Sequence, residues 1–196
     1  MITILFGPPG SGKGTQAEVI SKRFGLPHVS TGQMLRDEVG AGSELGHEVE
    51  PIMKGGGLIP DDMMVRIIES RLAHPDAEGG ALLDGFPRTV PQAKELDVML
   101  GRTGREIGVV LFIDVPEAEL KKRIERRSEI DHRADDTPEA YVKRRREYEE
   151  KTALVIGYYE DCGTRIEYVN GNAPIDTVTE SILTIFGGQL PARGVA

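Results

Sequence analysis

The sequence has a single cysteine, Cys162, among 196 residues. One thiol cannot close an internal disulfide or build a cysteine-cluster zinc site, so neither is expected to hold this fold together. No apolar run approaches the roughly 20 residues of a membrane-spanning helix. No basic segment precedes the first apolar stretch, Ile2–Phe6, so the N-terminus does not read as a secretory signal. Positive charge is also short: 24 Lys and Arg stand against 32 Asp and Glu, a formal charge of −8. An acidic chain is a poor nonspecific coat for nucleic acid. These absences predict a soluble, cytoplasmic protein with no nucleic-acid or membrane partner. The length suits one domain with its own core.

What is present is unevenly spread. Residues 121–151 carry 11 of the cationic residues and 9 acidic ones. That fits either a mixed-charge helical surface or arginines presented to an anion. Ile2–Phe6, Ala81–Leu83 and Val109–Ile113 are nearly continuous apolar runs, as in parallel strands buried on both faces. Val29 and Arg165–Val169 are weaker strand signals. Helical patterns cover Lys13–Phe24, Gln33–Val39, Glu44–Met53, Asp62–Leu72, Pro91–Leu100, Pro116–Arg127, Pro138–Tyr159 and Ile175–Phe186. Pro116, Pro138 and Pro174 stand where helices should begin.

Alternating strands and helices predict an α/β fold, a doubly wound parallel sheet with right-handed crossovers. Three helices rather than one separate Val29 from Ala81, which predicts a small helical insertion near residues 30–59. The polar segment from Arg127 to Thr137 reads as a mobile loop. The tail over residues 187–196, with Gly187, Gly188, Pro191 and Gly194, is expected to be disordered.

The first strand runs into Gly7-Pro8-Pro9-Gly10-Ser11-Gly12-Lys13-Gly14-Thr15. A glycine-rich turn between strand and helix turns successive backbone N–H groups toward phosphate oxygens, and Lys13 adds a mobile cation. The general pattern has Ser or Thr directly after the lysine as a magnesium ligand, but here Gly14 intervenes before Thr15. Mg²⁺ is therefore expected to be held mainly by nucleotide phosphates and waters. Asp84, at the end of the Ala81–Leu83 strand, is either its anchor through water or a turn cap.

Six motifs in order resemble the adenylate kinases: Gly7–Thr15, Ser30-Thr31-Gly32-Gln33-Met34-Leu35-Arg36, Asp84-Gly85-Phe86-Pro87-Arg88 with Gln92, Asp114-Val115-Pro116, Arg133-Ala134-Asp135-Asp136 and Ile156-Gly157-Tyr158-Tyr159. The resemblance runs from Met1 to about Phe186 and is to the short-lid bacterial type. It implies a single P-loop core, an AMP-binding helical insertion and a short lid near residues 126–136. The implied reaction is ATP + AMP = 2 ADP with Mg²⁺, which balances adenine nucleotides; a monomer is the simplest expectation.

On the ATP side the resemblance assigns Gly10, Ser11, Gly12, Lys13, Gly14, Thr15, Arg123, Arg127 and the backbone of Ala173. For AMP it assigns Thr31, Arg36, Gly57, Leu58, Ile59, Gly85, Phe86, Pro87, Arg88 and Gln92, with Arg133 and Arg144 as phosphate-gripping lid arginines. Lys13, Arg88, Arg123, Arg127, Arg133 and Arg144 are the implied catalytic cations. The lid lacks the four metal-binding side chains of longer members, and His132 is its only histidine, so no zinc site is expected. Gln33 and Gly57 depart from the family's usual acidic and basic residues.

Transfer between two nucleotides needs positioning, neutralised charge and excluded water rather than a general base, because the acceptor is already an anionic oxygen. Arg123 and Arg127, at i and i+4, share one helix face. Lys143, Arg145 and Arg146 read instead as solvated partners of Glu147, Glu149 and Glu150. Asp135 and Asp136 either cap the following helix or orient lid groups, and Cys162 reads as a structural or surface thiol. His28, His47 and His74 read as ordinary surface residues. The Gln92 amide can accept from adenine's amine and donate to a ring nitrogen, although turning it would rescue part of the fit to guanine. The rival readings are a kinase for another monophosphate or with a GTP donor, and a nucleotide-dependent switch without turnover.

Overall fold

The computed structural model describes residues 1–131 and 137–187, excluding the side chains of 127–131 and 187. Strands β1 (Ile2–Phe6), β2 (His28–Ser30), β3 (Ala81–Asp84), β4 (Ile107–Asp114) and β5 (Ile166–Asn170) form one parallel sheet in the order β2-β3-β1-β4-β5. Parallel neighbours require crossovers, and helices supply them. Those between strands are α1 (Lys13–Phe24), α2 (Thr31–Ala41), α3 (Glu44–Lys54), α4 (Asp61–Leu72), α5 (Val90–Arg102), α6 (Glu117–Asp131), α7 (Pro138–Glu147) and α8 (Leu154–Asp161). Helix α9 (Ile175–Gly187) follows the last strand. This is the α/β doubly wound architecture that the apolar runs predict.

The sheet is buried on both faces. Ile2, Ile4 and Phe6 of β1 pack into one apolar cluster with Leu83 and Val110, while Leu5 joins Leu82, Leu111 and Ile113 in the other. Side chains alternate across a strand, so two cores demand the near-continuous apolar sequences observed. Val178, Ile182 and Phe186 carry the buried stripe of α9, and Phe186 stacks on Phe24 of α1 at 5.1 Å between ring centres.

Three expectations are corrected. Helix α2 begins at Thr31, two residues before the periodic pattern starts. Helix α6 runs to Asp131, so the segment expected to loop from Arg127 begins as helix. No Gly or Pro interrupts it before Pro138. The single helix expected over Pro138–Tyr159 is broken by a π turn at Tyr148–Thr152, where the Ala153 N–H reaches the Tyr148 carbonyl at 2.8 Å. Residues 132–136 and 188–196, including most of the loop and tail readings, lie outside the described residues.

Between β2 and β3 stand α2, α3, α4 and a 3₁₀ turn at Pro75–Ala77, in place of one crossover helix. The chain reverses sides at β1, which lies between β3 and β4. Ligands of open parallel sheets bind outside the carboxyl ends of the strands at such a switch point.

Candidate functional site

A cavity of about 1060 Å³ opens at that edge, lined by the β1–α1 turn, α2, the α3–α4 connection, the β3–α5 connection and parts of α6, α7 and the β5–α9 turn. Strand β1 delivers the chain into the turn at Gly7. Its φ is +143°, and a Cβ there would meet the Ile113 carbonyl oxygen at 2.6 Å and Ser11 Oγ at 2.7 Å. Only glycine lets the turn pack so closely on β4. Lys13, the first residue of α1, folds back over the turn and donates from Nζ to the carbonyls of Gly7 (2.7 Å) and Pro8 (3.0 Å). Gly10, Ser11, Gly12, Gly14 and Thr15 line the cavity with it.

Asp84 ends β3 and lies in register with Leu5 of β1 and Ser30 of β2. His28, read from sequence as a surface residue, is half-buried instead, with Nε2 3.2 Å from Asp84 Oδ2. Burial pushes the Asp84 carboxyl up, but the His28 hydrogen bond and the charges of Lys13, His28 and Arg88 outweigh it. The net shift is downward, which keeps Asp84 a carboxylate at neutral pH. Its Oδ2 lies 3.9 Å from where a Cβ on Gly14 would stand. A carboxylate oxygen beside an open glycine position is chemistry that suits a hard divalent ion holding its waters.

Arg88 is held from three sides. Its N–H donates to Gln92 Oε1 at 2.7 Å, its carbonyl accepts from Thr152 Oγ1 at 3.0 Å, and its Nε donates to the Gly85 carbonyl at 2.8 Å. Burial lowers the pKa of this guanidinium, Asp84 opposes that, and Arg36 adds to it. An arginine nonetheless stays protonated in a protein. Gly85 has φ +85°, and a Cβ there would stand 2.5 Å from Thr31 Oγ1. Thr31 Oγ1 donates to the Gly85 carbonyl at 3.1 Å, tying α2 to the β3–α5 connection.

Thr31, Arg36, Gly57, Leu58, Ile59, Gly85, Phe86, Pro87, Arg88 and Gln92 all line the same cavity. Gln92 is 2 % exposed, and both ends of its amide are engaged: Oε1 by Arg88, and Nε2, which donates to Asp61 Oδ1 at 2.8 Å. On the opposite side Arg123 donates to the Gly171 carbonyl at 3.0 Å and to Glu119 at 3.2 Å. Ala173 and Arg144 also line the cavity. Arg145 pairs with Glu149 at 2.6 Å, as the sequence suggests, whereas Glu147 lines the cavity and pairs with Lys151 at 2.7 Å. Cys162 is exposed.

The Arg127 side chain, Arg133, Asp135, Asp136 and His132 lie outside the described residues. Four residues that the sequence left unmarked belong to this site or its support: His28, Asp61, Arg126 in the cavity wall, and Thr152 of the π turn. The spacing Thr89-x-x-Gln92 matches a capping box, a local signal that could have pointed to a bound amide but not to Asp61. Among the described residues six Lys and Arg side chains line the cavity: Lys13, Arg36, Arg88, Arg123, Arg126 and Arg144. A glycine-rich N–H turn facing such a wall is built for a polyanion. No group of three or more His, Cys, Asp or Glu among the described residues is placed to hold a metal, and none of their helices could cross a membrane.

Residues 5–164 match the sequence model of the family described as adenylate kinase. The chain is 44% identical to an adenylate kinase of Kosmotoga olearia, with 93% of this chain and 97% of that one aligned. It is 45% identical to one from Caulobacter sp. strain K31 (93% and 96% aligned), and 43% to one from Xanthomonas euvesicatoria pv. vesicatoria (95% and 100%).

Proposed function

The chain belongs to the adenylate kinase family and is a nucleotide phosphotransferase, and we propose that its reaction is reversible transfer of the γ-phosphoryl of ATP to AMP, giving two ADP. The observation that carries this reading is that two half-sites share one cavity. The glycine-rich turn and the Arg123–Gly171 wall make one half, and Thr31, Arg36, Arg88 and Gln92 make the other. Two nucleotides bound there would meet end to end beside Lys13, Asp84 and Arg88.

In this reading Gly10–Thr15 cradle the ATP phosphates, Arg123 grips them from α6, and the backbone at Ala173 meets the adenine. Arg36 and Arg88 bind the AMP phosphate, Gln92 meets its base, and Thr31 and Gly57–Ile59 border the pocket. Lys13 leaves the neutral Gly7 and Pro8 carbonyls for anionic phosphate oxygens, which bind an ammonium more strongly. Arg88 neutralises charge where the phosphoryl group passes, and its three backbone and side-chain bonds preorganise it. Magnesium bound to the ATP phosphates, with Asp84 holding its waters, would supply further charge neutralisation.

No side chain is asked to remove a proton. Arg127 and Arg133 fall, on this reading, in a short lid near residues 126–136, and Arg144 of α7 flanks it and swings in as the lid closes and excludes water. The insertion near residues 30–59 carries the AMP pocket. The working form is a cytoplasmic monomer. Purified protein incubated with ATP and each of AMP, GMP, CMP and UMP in turn, with ADP followed, tests the reading. AMP should be the preferred acceptor, and equal use of UMP or CMP would overturn the acceptor assignment.

A further inference from the structure

Asp61 opens α4, the helix that leads back from the insertion toward the sheet. Its carboxylate spans to the start of α5: Oδ1 accepts from Gln92 Nε2 at 2.8 Å, and Oδ2 accepts from Thr89 Oγ1 at 2.9 Å. The Thr89 hydroxyl in turn accepts from the Gln92 N–H at 3.2 Å, so the three residues close a hydrogen-bonded ring around the first turn of α5. On the far side of the amide, Gln92 Oε1 accepts from the Arg88 N–H.

We infer that Asp61 is a positioning residue that fixes which way the Gln92 amide faces, and thereby selects adenine over 6-oxopurines at the acceptor site. The inference rests on the proposed reading that Gln92 meets the acceptor base. A carboxylate can only accept, and a backbone N–H can only donate. The two partners therefore admit one orientation of the amide, with oxygen toward Arg88 and nitrogen toward Asp61.

Turning the amide would set its oxygen against the Asp61 carboxylate and its NH₂ against the Arg88 N–H, losing two hydrogen bonds in a site where Gln92 is 2 % exposed. Each end keeps one valence for a ligand, a second lone pair on Oε1 and a second hydrogen on Nε2. Adenine matches that pair with its exocyclic N–H donor and ring-nitrogen acceptor. Hypoxanthine and guanine carry an oxygen acceptor and a ring N–H donor there, and so require the turned amide. The rescue by amide rotation expected from sequence is therefore closed off by Asp61.

The test is kcat/KM for AMP and for IMP, at saturating ATP, in the full chain, Asp61→Asn, Gln92→Ala and the double variant. An asparagine can donate as well as accept, so Asp61→Asn should narrow the AMP-to-IMP ratio by about fivefold or more, without changing KM for ATP. Adding it to Gln92→Ala should leave the ratio of that variant unchanged. A merely structural role would lower both acceptors alike and keep the ratio, which would overturn the inference while a reduced ratio in Gln92→Ala upheld the Gln92 reading. An unchanged ratio in Gln92→Ala would overturn that reading and the inference with it. Should Asp61→Asn not fold, NMR of the unsubstituted protein decides. A Gln92 side-chain amide proton protected from solvent exchange, assigned by its loss in Gln92→Ala, supports the inference, and rapid exchange overturns it.

Discussion

Thr152 donates its hydroxyl to the carbonyl of Arg88 at 3.0 Å, across 64 residues of sequence. Thr152 sits in the π turn between α7 and α8, and it is 9 % exposed. π turns recur at functional sites because the extra residue redirects a side chain out of the helical register. Here the redirected side chain reaches the arginine that ends the Asp84–Arg88 motif. The irregularity in the helix and the fixed position of Arg88 are one feature.

Thr152→Val keeps the shape and removes the donor, leaving the Arg88 carbonyl without this partner. Loss of one such bond in a buried setting costs about 1–3 kcal/mol. Thermal unfolding should fall accordingly, and kcat should drop more than KM for ATP, because Arg88 is displaced while the glycine-rich turn is untouched. Unaltered kcat in a variant with lowered stability would show that the π turn supports only the fold.

On the proposed reading, Lys13→Ala and Arg88→Ala each remove a cavity-lining cation that faces the transferred group. Turnover should fall by 10²-fold or more, ~2.7 kcal/mol of barrier, well beyond any loss of stability. Steady-state rates of folded protein, checked by circular dichroism, measure this. Near-normal turnover in either variant would withdraw that residue from the mechanism.

Metal dependence separates the two ions considered. Chelation with EDTA should abolish activity and added Mg²⁺ should restore it. A zinc-selective chelator should change neither activity nor melting temperature, since the chain has one cysteine and no metal-holding cluster among the described residues. Stoichiometric zinc in purified protein, with unfolding on its removal, would contradict this.

The pH dependence of stability has a marker in α5. Tyr158 donates to Asp97 Oδ2 at 2.6 Å, yet burial outweighs that bond and leaves the Asp97 carboxyl above its ordinary value. A raised folded-state value favours the protonated form. Its contribution is fully present below the unfolded value of about 3.9 and is lost as pH rises through the folded one. Asp97→Asn cannot ionise and escapes that loss. The melting temperature of the variant relative to the parent should therefore increase between about pH 4 and neutrality. A difference that stays flat with pH would refute the assignment.

The amino-acid sequence alone carried the architecture and most of one site. Apolar runs at Ile2–Phe6 and Ala81–Leu83, the glycine-rich turn before Lys13 and the prolines at helix starts are contiguous signals. Strand burial, a turn's positive φ and a helix start are decided within a few residues, so they can be read along the chain. Asp84 is marked by its place at a strand end, and the family resemblance marks Thr31, Arg36, Arg88 and Gln92; all five line the cavity. What the sequence could not carry is which polar groups would find each other. His28 with Asp84, Asp61 with Gln92 and Thr152 with Arg88 are separated by 56, 31 and 64 residues. Such pairs leave no periodicity, and each residue taken alone suits a solvated surface. Only the packing of β2 on β3, α4 on α5 and the π turn against the β3–α5 connection removes water from these groups, and a buried donor then takes the acceptor that the fold has brought beside it.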